Sequence, residues 1–407
     1  MRKRTIVILA IVWMVVLVAG VSSAVTMAVC GVLGSQSQLP ASTTYQVDAQ
    51  QYGMIERYER LEQVRRQLEE NYYRELDTQE LVLGAVRGML AAVEDPYTFY
   101  YTPEEMEEAA QQHLGLYQGV GLLIASDKAG YVRVLRVFQD SPAWAAGVRA
   151  GDRVLEVDGQ AVSGETQQTL EEAISRMQVA QGELLRLTLQ RDDEILTLGM
   201  TPSTVQMARV ECQVLQGQVG YIALYEFVGD DVEGFRQAMD QLSAQGVKKV
   251  ILDLRSNPGG RLDDVVEIAD LLMGEGLIVY TVDRYGQRSE YFSDGRMWDV
   301  ELAVLVNDMS ASASEILAAA LQDAGRAVIV GEQTFGKGIV QTQITFREDG
   351  AGMQLTTASY YTPSGRSIHG VGVTPDIQVE MDEENFSGTL SLEQDPQLRA
   401  AWQVLMD

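Results

Sequence analysis

Three serines in one short stretch are candidates for a nucleophile. Ser310, Ser312 and Ser314 alternate with alanines in NDMSASASEIL, between a strand-like run and a helix-like run. Ser312 and Glu315 fit the capping box, in which a serine and a glutamate three residues later satisfy the first N–H groups of a helix. A strand-to-helix turn also exposes a nucleophile beside backbone N–H groups that can bind an oxyanion. This stretch alone favours a helix cap and leaves a nucleophilic serine as the alternative.

A serine nucleophile requires a base, and the sequence contains few. Its two histidines are His113, in a helix-like segment, and His369, in a glycine-flanked loop without an obvious acid to orient the ring. Lysine also serves serine enzymes as a base when burial lowers its pKa from about 10.4. Lys337 lies between two glycines and two apolar runs in AVIVGEQTFGKGIVQ. Lys337 is therefore the better candidate, and a Ser-His-Asp triad through His369 is the alternative.

The same lysine ends a sequence that partly fits a phosphate-binding loop. Gly331, Gly336 and Lys337 come one residue short of that pattern, and Gly338 replaces the hydroxyl residue that binds magnesium. The following run IVQTQITF alternates like a strand, whereas phosphate binding requires a helix N-terminus. A nucleotide site is therefore disfavoured.

A third segment places two glycines after a strand. The run KKVIL is followed by DLRSNPGG at residues 253–260. Ligand sites of α/β sheets form at such strand ends, and consecutive glycines can direct N–H groups at an anion. A simple turn built on Pro258 and Gly259 has the same sequence, so both interpretations stay open.

The elements that must position these residues alternate in type. Beyond residue 219, strand-like runs (VGYIALY, KKVILDL, LAVLVND, AVIVG) alternate with helical patterns at 231–245, 262–273 and 312–322, which indicates a partly parallel α/β sheet. Residues 117–198 contain short strand-like runs and turns, which indicate a mostly-β module. From residue 52 to about 112, apolar residues recur at helical spacing with an interruption at 95–98, which predicts a helical arm.

The N-terminus predicts a membrane segment. Three basic residues precede 30 uncharged, mostly apolar residues at 5–34. About 20 apolar residues span a bilayer, whereas the apolar part of a signal peptide has about 7–15. We expect an uncleaved anchor at 1–34, with a cleaved signal as the alternative, followed by a linker at 35–51. The basic flank places the rest of the chain outside the cytoplasm, on a single-pass protein of the cell membrane.

The net charge and the cysteines further limit which partners and cross-links are expected. The formal net charge of −27 repels phosphate backbones, so nucleic acid is not an expected partner. Cys30 lies in the apolar N-terminal stretch and Cys212 far downstream, so no disulfide framework is expected.

The motifs DLRSNPGG, VNDMSASASEILAAALQD and VGEQTFGKGIVQ, in this order, resemble the carboxyl-terminal processing peptidases, a serine protease family with a Ser-Lys pair. The resemblance extends from about residue 52 to 379. In that family the middle serine of the run is the nucleophile and the lysine follows 25 positions later, which implies Ser312 as nucleophile and Lys337 as general base. The family's glutamine corresponds to Gln341, which would share a strand face with Lys337.

The resemblance also implies an oxyanion hole and a fold. Its backbone donors correspond to Gly259, less directly Gly260, and Ala313. The implied reaction is acyl transfer, which needs no metal or cofactor. The implied architecture is an α/β core of the Clp-protease/crotonase type at 201–385 with a C-terminal tail at 386–407, an N-terminal helical segment at 52–116 and an inserted β domain at 117–200.

That inserted domain resembles a PDZ domain. The resemblance rests on Gly119-Val120-Gly121-Leu122, followed by SPA, AG and GDRVL. PDZ domains add a peptide as an extra strand and hold its terminal carboxylate on the N–H groups of the glycine loop. Proteins or peptides with apolar C-termini are thus the expected partners, and Arg176 is a candidate link between the PDZ domain and the catalytic residues. A PDZ fold that serves only as a spacer is the alternative.

The sequence therefore predicts a serine endopeptidase that cleaves exported proteins near their C-termini. The rival is a catalytically inactive PDZ scaffold that binds exported protein tails. The helical arm resembles the family's N-terminal segment, which mediates dimer contacts, so a homodimer is expected, although a solvated amphipathic arm would have the same pattern.

Overall fold

The computed structural model describes residues 49–113, 116–126, 130–162, 167–177, 182–192, 194–206, 209–381 and 391–407. The predicted membrane segment at 1–34 and most of the linker at 35–51 lie outside these ranges. Within them, no helix has the length and apolar character needed to cross a membrane. The chain divides into two compact units, the first ending at Gly84 and the second running from Ala85 to Asp407.

The N-terminal segment is mainly helical, as its periodicity predicts. Its elements are α1 (Ala49–Asn71), α2 (Thr78–Ala91), the short strand β1 (Phe99–Tyr101) and α3 (Pro103–His113). Between α2 and β1 the chain turns at 95–98, where the Asp95 carboxylate accepts hydrogen bonds from the Tyr97 N–H and the Thr98 hydroxyl. Thr102 and Glu105 form a capping box that starts α3.

The mostly-β module is an antiparallel sheet with its own apolar core. Its elements are β3 (Leu122–Ser126), β4 (Val132–Val137), α4 (Pro142–Ala146), β5 (Arg153–Val157), β6 (Gln160–Ala161), α5 (Gln167–Met177), β7 (Leu185–Arg191) and β8 (Glu194–Met200). The strand order is β3-β4-β5-β7-β8, with β6 paired to β5, so β3 lies at an edge, in contact with α5. Before and after the module, β2 (Leu116–Gly119) and β9 (Ser203–Gln206) pair with each other.

The α/β core contains a six-stranded sheet. Its strands are β10 (Val210–Leu215), β11 (Val219–Leu224), β12 (Lys249–Asp253), β15 (Glu301–Val306), β16 (Ala327–Gly331) and β19 (Ile377–Gln378), in that order. β10 is antiparallel to β11 and the other pairs are parallel, which agrees with the predicted partly parallel sheet.

Helices cover both faces of this sheet. One face packs on α6 (Asp231–Ala244), α7 (Leu262–Leu272) and α8 (Ala313–Asp323), and the other on α9 (Pro396–Met406). The residues expected to form a C-terminal tail, 386–407, thus include a core helix. Its Leu398, Ala401 and Leu405 are buried against the sheet, and Asp395 caps it by accepting from the Leu398 N–H.

A second sheet joins β1 to the core within the second unit. Its remaining strands are β13 (Gly276–Asp283), β14 (Arg288–Ser293), β17 (Ile339–Thr345) and β18 (Gly352–Tyr361). β18 pairs with β13 and β17, and β1 pairs with β18 in the register Phe99 to Gln354. The turn at 95–98 therefore lies beside the strands that follow Lys337.

Candidate active site

Two neighbouring parallel strands bring the glycine turn and the serine run together. β12 and β15 pair in the register Asp253 to Leu305, so the segments that follow them leave the same edge of the sheet. The N–H of Ala311 donates to the carbonyl of Asn257 over 3.0 Å, which joins the two segments directly. The site thus forms where ligands bind in α/β folds.

The three serines occupy different environments. Ser310 and Ser314 are fully buried, and their hydroxyls donate to the carbonyls of Leu254 (2.8 Å) and Asn257 (2.9 Å). Ser312 is half-buried and has φ 55° and ψ −113°, a backbone conformation rarely adopted by residues with a side chain. Such strain persists only where surrounding contacts enforce it, and it is common at active sites. Ser310 and Ser314 are structural residues, and Ser312 is the serine presented at the turn.

One buried carboxylate holds the segments of Ser312 and Lys337 together. Glu315 is fully buried. Its Oε2 accepts from the N–H groups of Ser312 and Lys337, both over 2.8 Å, and its Oε1 accepts from the Gly336 N–H (2.7 Å) and the Thr334 hydroxyl (2.6 Å). The N–H of Glu315 itself donates to the main-chain carbonyl of Ser312 (2.9 Å). The glutamate of the predicted capping box therefore also ties the helix start to the lysine segment.

A buried tyrosine makes a second bridge between the same two residues. The hydroxyl of Tyr360, on β18, lies within hydrogen-bond distance of the main-chain carbonyls of Ser312 (3.1 Å) and Lys337. Burial, and to a lesser degree the charge of Glu315, raise the pKa of this phenol well above its usual range. Tyr360 is therefore neutral at physiological pH and able to donate. Nothing in the sequence near Ser312 or Lys337 indicated this residue, which is non-local to both.

Lys337 is half-buried in the segment before β17. Burial lowers its pKa below the ordinary lysine value, and the negative charges of Asp95 and Glu315 oppose that shift. Its Nζ lies 4.6 Å from the centre of the Tyr97 ring. A Cβ on Gly338 would lie 2.4 Å from the main-chain nitrogen of His369, so close approach of that backbone requires glycine. The site therefore has a half-buried amine with a lowered pKa.

The glycine turn is held by hydrogen bonds and lies against Ser312. Asn257 is fully buried, and its side chain donates to the Leu224 carbonyl (2.8 Å) and accepts from the Gly259 N–H (2.8 Å). A Cβ on Gly259 would lie 2.8 Å from both the Ser312 Cβ and the Ala313 nitrogen. Phe227 donates its N–H to the Gly259 carbonyl and accepts at its own carbonyl from the Arg261 N–H. The Gly260 N–H takes no part in these two hydrogen bonds. Of the two candidate glycine donors, the Gly259 N–H is thus engaged by Asn257 in this structure.

Gln341 lies on β17, but the strand-alternation argument that paired it with Lys337 does not apply. β17 begins at Ile339, after the lysine, and its register with β18 shifts between Val340 and Gln341. The amide of Gln341 contacts the Ile339 carbonyl (3.4 Å) and the Thr356 hydroxyl (3.5 Å). The position of Gln341 beside the lysine segment therefore follows from the pairing with β18.

The glycine loop of the β module is closely packed. In the loop Gly119-Val120-Gly121-Leu122, Gly121 has φ 82°, and a Cβ there would lie 2.2 Å from the Ser141 Cβ. The carbonyls of Val120 and Gly121 accept N–H groups from the start of α4 and the end of β4. These contacts fix the loop next to the edge strand β3.

Arg176, the candidate link to the catalytic residues, contacts its own module in this structure, and Arg136 contacts the core. Arg176 donates to the Ala161 carbonyl (3.1 Å) and to Glu172 (3.3 Å), and both partners belong to the module. Arg136, on β4, instead lies 3.2 Å from the ring centre of Tyr225 and 2.5 Å from Glu211, both in the core. The only sign of this contact in the sequence is the outward position of Arg136 on a strand, and side chains at such positions are usually solvated.

Three family models match the chain. They are the peptidase family S41 at residues 218–379, a PDZ domain at 133–191 and the activating protease CtpB N-terminal domain at 18–105. A carboxyl-terminal-processing protease of Picosynechococcus sp. is 38% identical over 340 residues, which is 82% of this chain and 81% of that protein. A carboxy-terminal-processing protease of Bartonella bacilliformis is 38% identical over 323 residues, or 77% and 73% of the two chains.

Solved structures agree with these matches. The photosystem II D1 C-terminal processing protease is 31% identical, has a TM-score of 0.55 and is matched over 89% of this chain and 98% of its own. A putative S41 protease from Bacteroides fragilis, 17% identical with a TM-score of 0.58 over 79% and 90% of the chains, shares the fold. The chain belongs to peptidase family S41. It is a carboxyl-terminal processing serine protease with a PDZ domain, which confirms the function and family predicted from the sequence.

Proposed function

We propose that Ser312 is the nucleophile and Lys337 the general base of this protease. The observation that carries this assignment is the shared carboxylate of Glu315, which accepts N–H groups of both residues. The Ser312 Oγ attacks the scissile carbonyl carbon while the neutral Lys337 amine accepts its proton. The resulting ammonium group then gives this proton to the leaving nitrogen and returns to the neutral amine, which activates the water that hydrolyses the acyl ester. Gln341 is the third member of this set.

The oxyanion is assigned to the N–H groups of Gly260 and Ala313. Ala313 is the first residue of α8, where N–H groups point away from the helix without intrahelical partners. The Gly259 N–H serves the turn through Asn257. Gly259 contributes close approach, because any side chain at this position would meet Ser312.

Substrate selection is assigned to the groove between β3 and α5. Among the described strands β3 is the edge of the sheet, and α5 lies beside it, so an extended peptide can pair with β3 as an additional strand. The loop Gly119-Val120-Gly121-Leu122 lies at the start of that strand, where its N–H groups can receive a terminal carboxylate. Protein or peptide substrates with apolar C-termini fit this arrangement.

We further propose that residues 1–34 anchor the protease in the cell membrane with its catalytic part outside the cytoplasm, and that the protein is a homodimer. The uncharged N-terminal stretch supports the anchor. Exposed apolar side chains on α1, including Ile55, Leu61 and Val64, support an interface with a second copy. Protease accessibility in intact cells tests the anchor, and light scattering of the wild type and an Ile55→Glu variant tests the dimer.

The catalytic assignment is tested with the full-length protein and its Ser312→Ala and Lys337→Ala variants. The substrates are one peptide with an apolar C-terminus and the same peptide with its C-terminus amidated. We expect cleavage by the wild type, loss of at least about 10³-fold in each variant, and a higher KM for the amidated peptide. The exposed residues Ser289 and Lys248 provide matched controls as alanine variants.

Two outcomes would contradict the assignment. Full activity in either active-site variant removes that residue from the mechanism. A wild type that binds the peptide without cutting it supports the scaffold alternative. The pH dependence tests the base separately, because Lys337 must lose its proton to act and its pKa is lowered. Activity should therefore rise with pH below about 10, and a rate that rises only above that value contradicts a lysine base whose pKa is lowered.

A further inference from the structure

The Lys337 side chain is in contact with a residue from the N-terminal segment. Tyr97 belongs to the turn between α2 and β1, far from Lys337 in sequence, yet its ring centre lies 4.6 Å from the lysine Nζ. A cation within about 6 Å of a ring centre is attracted by the negative face of the ring. Tyr97 is half-buried, so this contact is partly shielded from solvent.

The turn that carries Tyr97 is held against the strands of the site. The Thr98 hydroxyl accepts from the Thr356 N–H (3.1 Å), and the Gln354 amide donates to the Tyr97 carbonyl (3.3 Å). Asp95 closes the turn by accepting from the Tyr97 N–H (3.0 Å) and the Thr98 hydroxyl (2.7 Å). Thr356 lies on β18, the strand paired with the strand that follows Lys337. The position of the Tyr97 ring is therefore set by the same sheet that positions the lysine.

Besides Tyr97, the ionisable groups that act on Lys337 in the described part of the chain are Asp95 from the turn, Glu315 from α8 and the Tyr360 hydroxyl from β18, which contacts the Lys337 carbonyl. The backbone of His369 packs on Gly338. Asp95 and Glu315 raise the lysine pKa against the effect of burial. Burial alone would raise the pKa of Asp95, but hydrogen bonds from Thr356, Thr98 and Tyr97 lower it overall, so Asp95 is ionised while the lysine titrates.

We propose that Tyr97 is a positioning residue for the catalytic lysine, supplied with Asp95 by the N-terminal segment. This inference rests on the role of Lys337 proposed above. The ring restricts the flexible four-carbon side chain of the lysine, and both the ring and the Asp95 carboxylate favour the protonated amine. The turn at 95–98, which lies in the same compact unit as Lys337, thereby completes the active site.

The orientation of the lysine and the stabilisation of its protonated form have different kinetic signatures. Loss of the ring frees the amine from one orientation, so kcat falls while KM, set mainly by peptide binding, stays within about threefold. Loss of the ring or of the Asp95 charge also destabilises the ammonium form, so the lysine pKa falls. The acid limb of the pH–rate profile then moves to lower pH, by about half a unit or more. A residue needed only for folding would lower activity without moving this limb.

The experiment measures kcat and KM of the full-length protein from pH 5 to 10 on the peptide with an apolar C-terminus. The variants are Tyr97→Leu, Tyr97→Phe and Asp95→Asn. We expect Tyr97→Leu to lose about tenfold in kcat, Tyr97→Phe to behave like the wild type, and Asp95→Asn to move the acid limb to lower pH. Tyr100→Leu is the matched control, because this neighbouring ring stacks on Phe346. His369→Asn shows whether a histidine contributes to the acid limb of the pH–rate profile.

Each result decides the question. The inference is wrong if the pH–rate profiles of Tyr97→Leu and Asp95→Asn coincide with that of the wild type. It is also wrong if Tyr97→Leu and Tyr100→Leu lose kcat equally and the acid limb does not move. If Tyr97→Leu does not fold, Asp95→Asn alone decides through the limb. Retained activity in Lys337→Ala overturns the proposed function instead, so the two failures are distinguishable.

Discussion

Replacing Glu315 with glutamine should disrupt the site with almost no change in side-chain volume. The carboxylate accepts four hydrogen bonds in a fully buried environment, two on each oxygen. A glutamine offers one oxygen and one NH₂ group, and the NH₂ group cannot accept. With NH₂ on the Oε2 side, the N–H groups of Ser312 and Lys337 both lose their acceptor. With NH₂ on the Oε1 side, the Thr334 hydroxyl can turn to accept, and the donors that lose their acceptor are one main-chain N–H, that of Gly336, and the rotatable Thr334 hydroxyl.

The second orientation is less costly and should dominate. Hydrogen bonds to charged groups contribute about 1.5–3 kcal/mol, and a buried donor without an acceptor costs about 1–3 kcal/mol. We therefore expect Glu315→Gln to lower the free energy of unfolding by about 2–3 kcal/mol, a large part of the 5–15 kcal/mol typical of folded domains. Because the lysine segment loses part of its tie to Ser312, kcat should fall on the order of 10–100-fold.

The assay combines urea unfolding followed by circular dichroism with steady-state kinetics on the apolar peptide. KM should change little because the proposed groove lies in the PDZ domain. Glu301→Gln removes the same charge from an exposed position at the start of β15 and is the control. An unchanged unfolding transition together with a kcat within twofold of the wild type would refute the argument that Glu315 holds the two segments together.

Three further predictions follow from single contacts. Gly338→Ala should lower kcat at least tenfold and reduce the melting temperature, because the new methyl group would lie 2.4 Å from the His369 nitrogen. Asp231 is fully buried, and burial together with the charge of Asp264 raises its pKa to about 6. Its folded form binds a proton that the unfolded form releases near pH 4, so urea unfolding should show stability falling from about pH 4 to 6, and Asp231→Asn should flatten this slope. Arg136→Ala should release the contact between the PDZ domain and the core and increase amide hydrogen exchange at residues 210–225.

Each of these predictions has a matched control. Gly274→Ala adds a methyl group where no atom lies within 4 Å, and it should be neutral. Asp240→Asn changes an exposed aspartate of the same helix, and Arg186→Ala an exposed arginine of the PDZ sheet. A Gly338→Ala enzyme with normal kinetics, a pH slope that persists in Asp231→Asn, or unchanged exchange in Arg136→Ala would contradict the corresponding argument.

Local patterns predicted the elements of this protein well. Apolar alternation and helical spacing are set by which side chains are buried, so the strands and helices of the core, including α6, α7 and α8, could be read from the sequence. The helix α9 was missed because a short amphipathic stretch at the end of a chain has the same pattern whether it is solvated or packed. Its burial depends on the sheet face that it covers.

The sequence alone determined which chemistry the chain carries. The run SASASE and a glycine turn after a strand are local facts, and the resemblance to the processing peptidases, with a lysine 25 positions after the middle serine, selected Ser312 and Lys337. The tertiary structure adds the physical difference among the three serines: Ser310 and Ser314 donate to carbonyls on another segment, and of the three only Ser312 has the strained backbone. The bridges made by Glu315 and Tyr360 and the Tyr97 ring beside Lys337 join residues distant in sequence. Periodicity indicates that a side chain is buried but not which residues it is buried against. These contacts could therefore be found only in the folded chain.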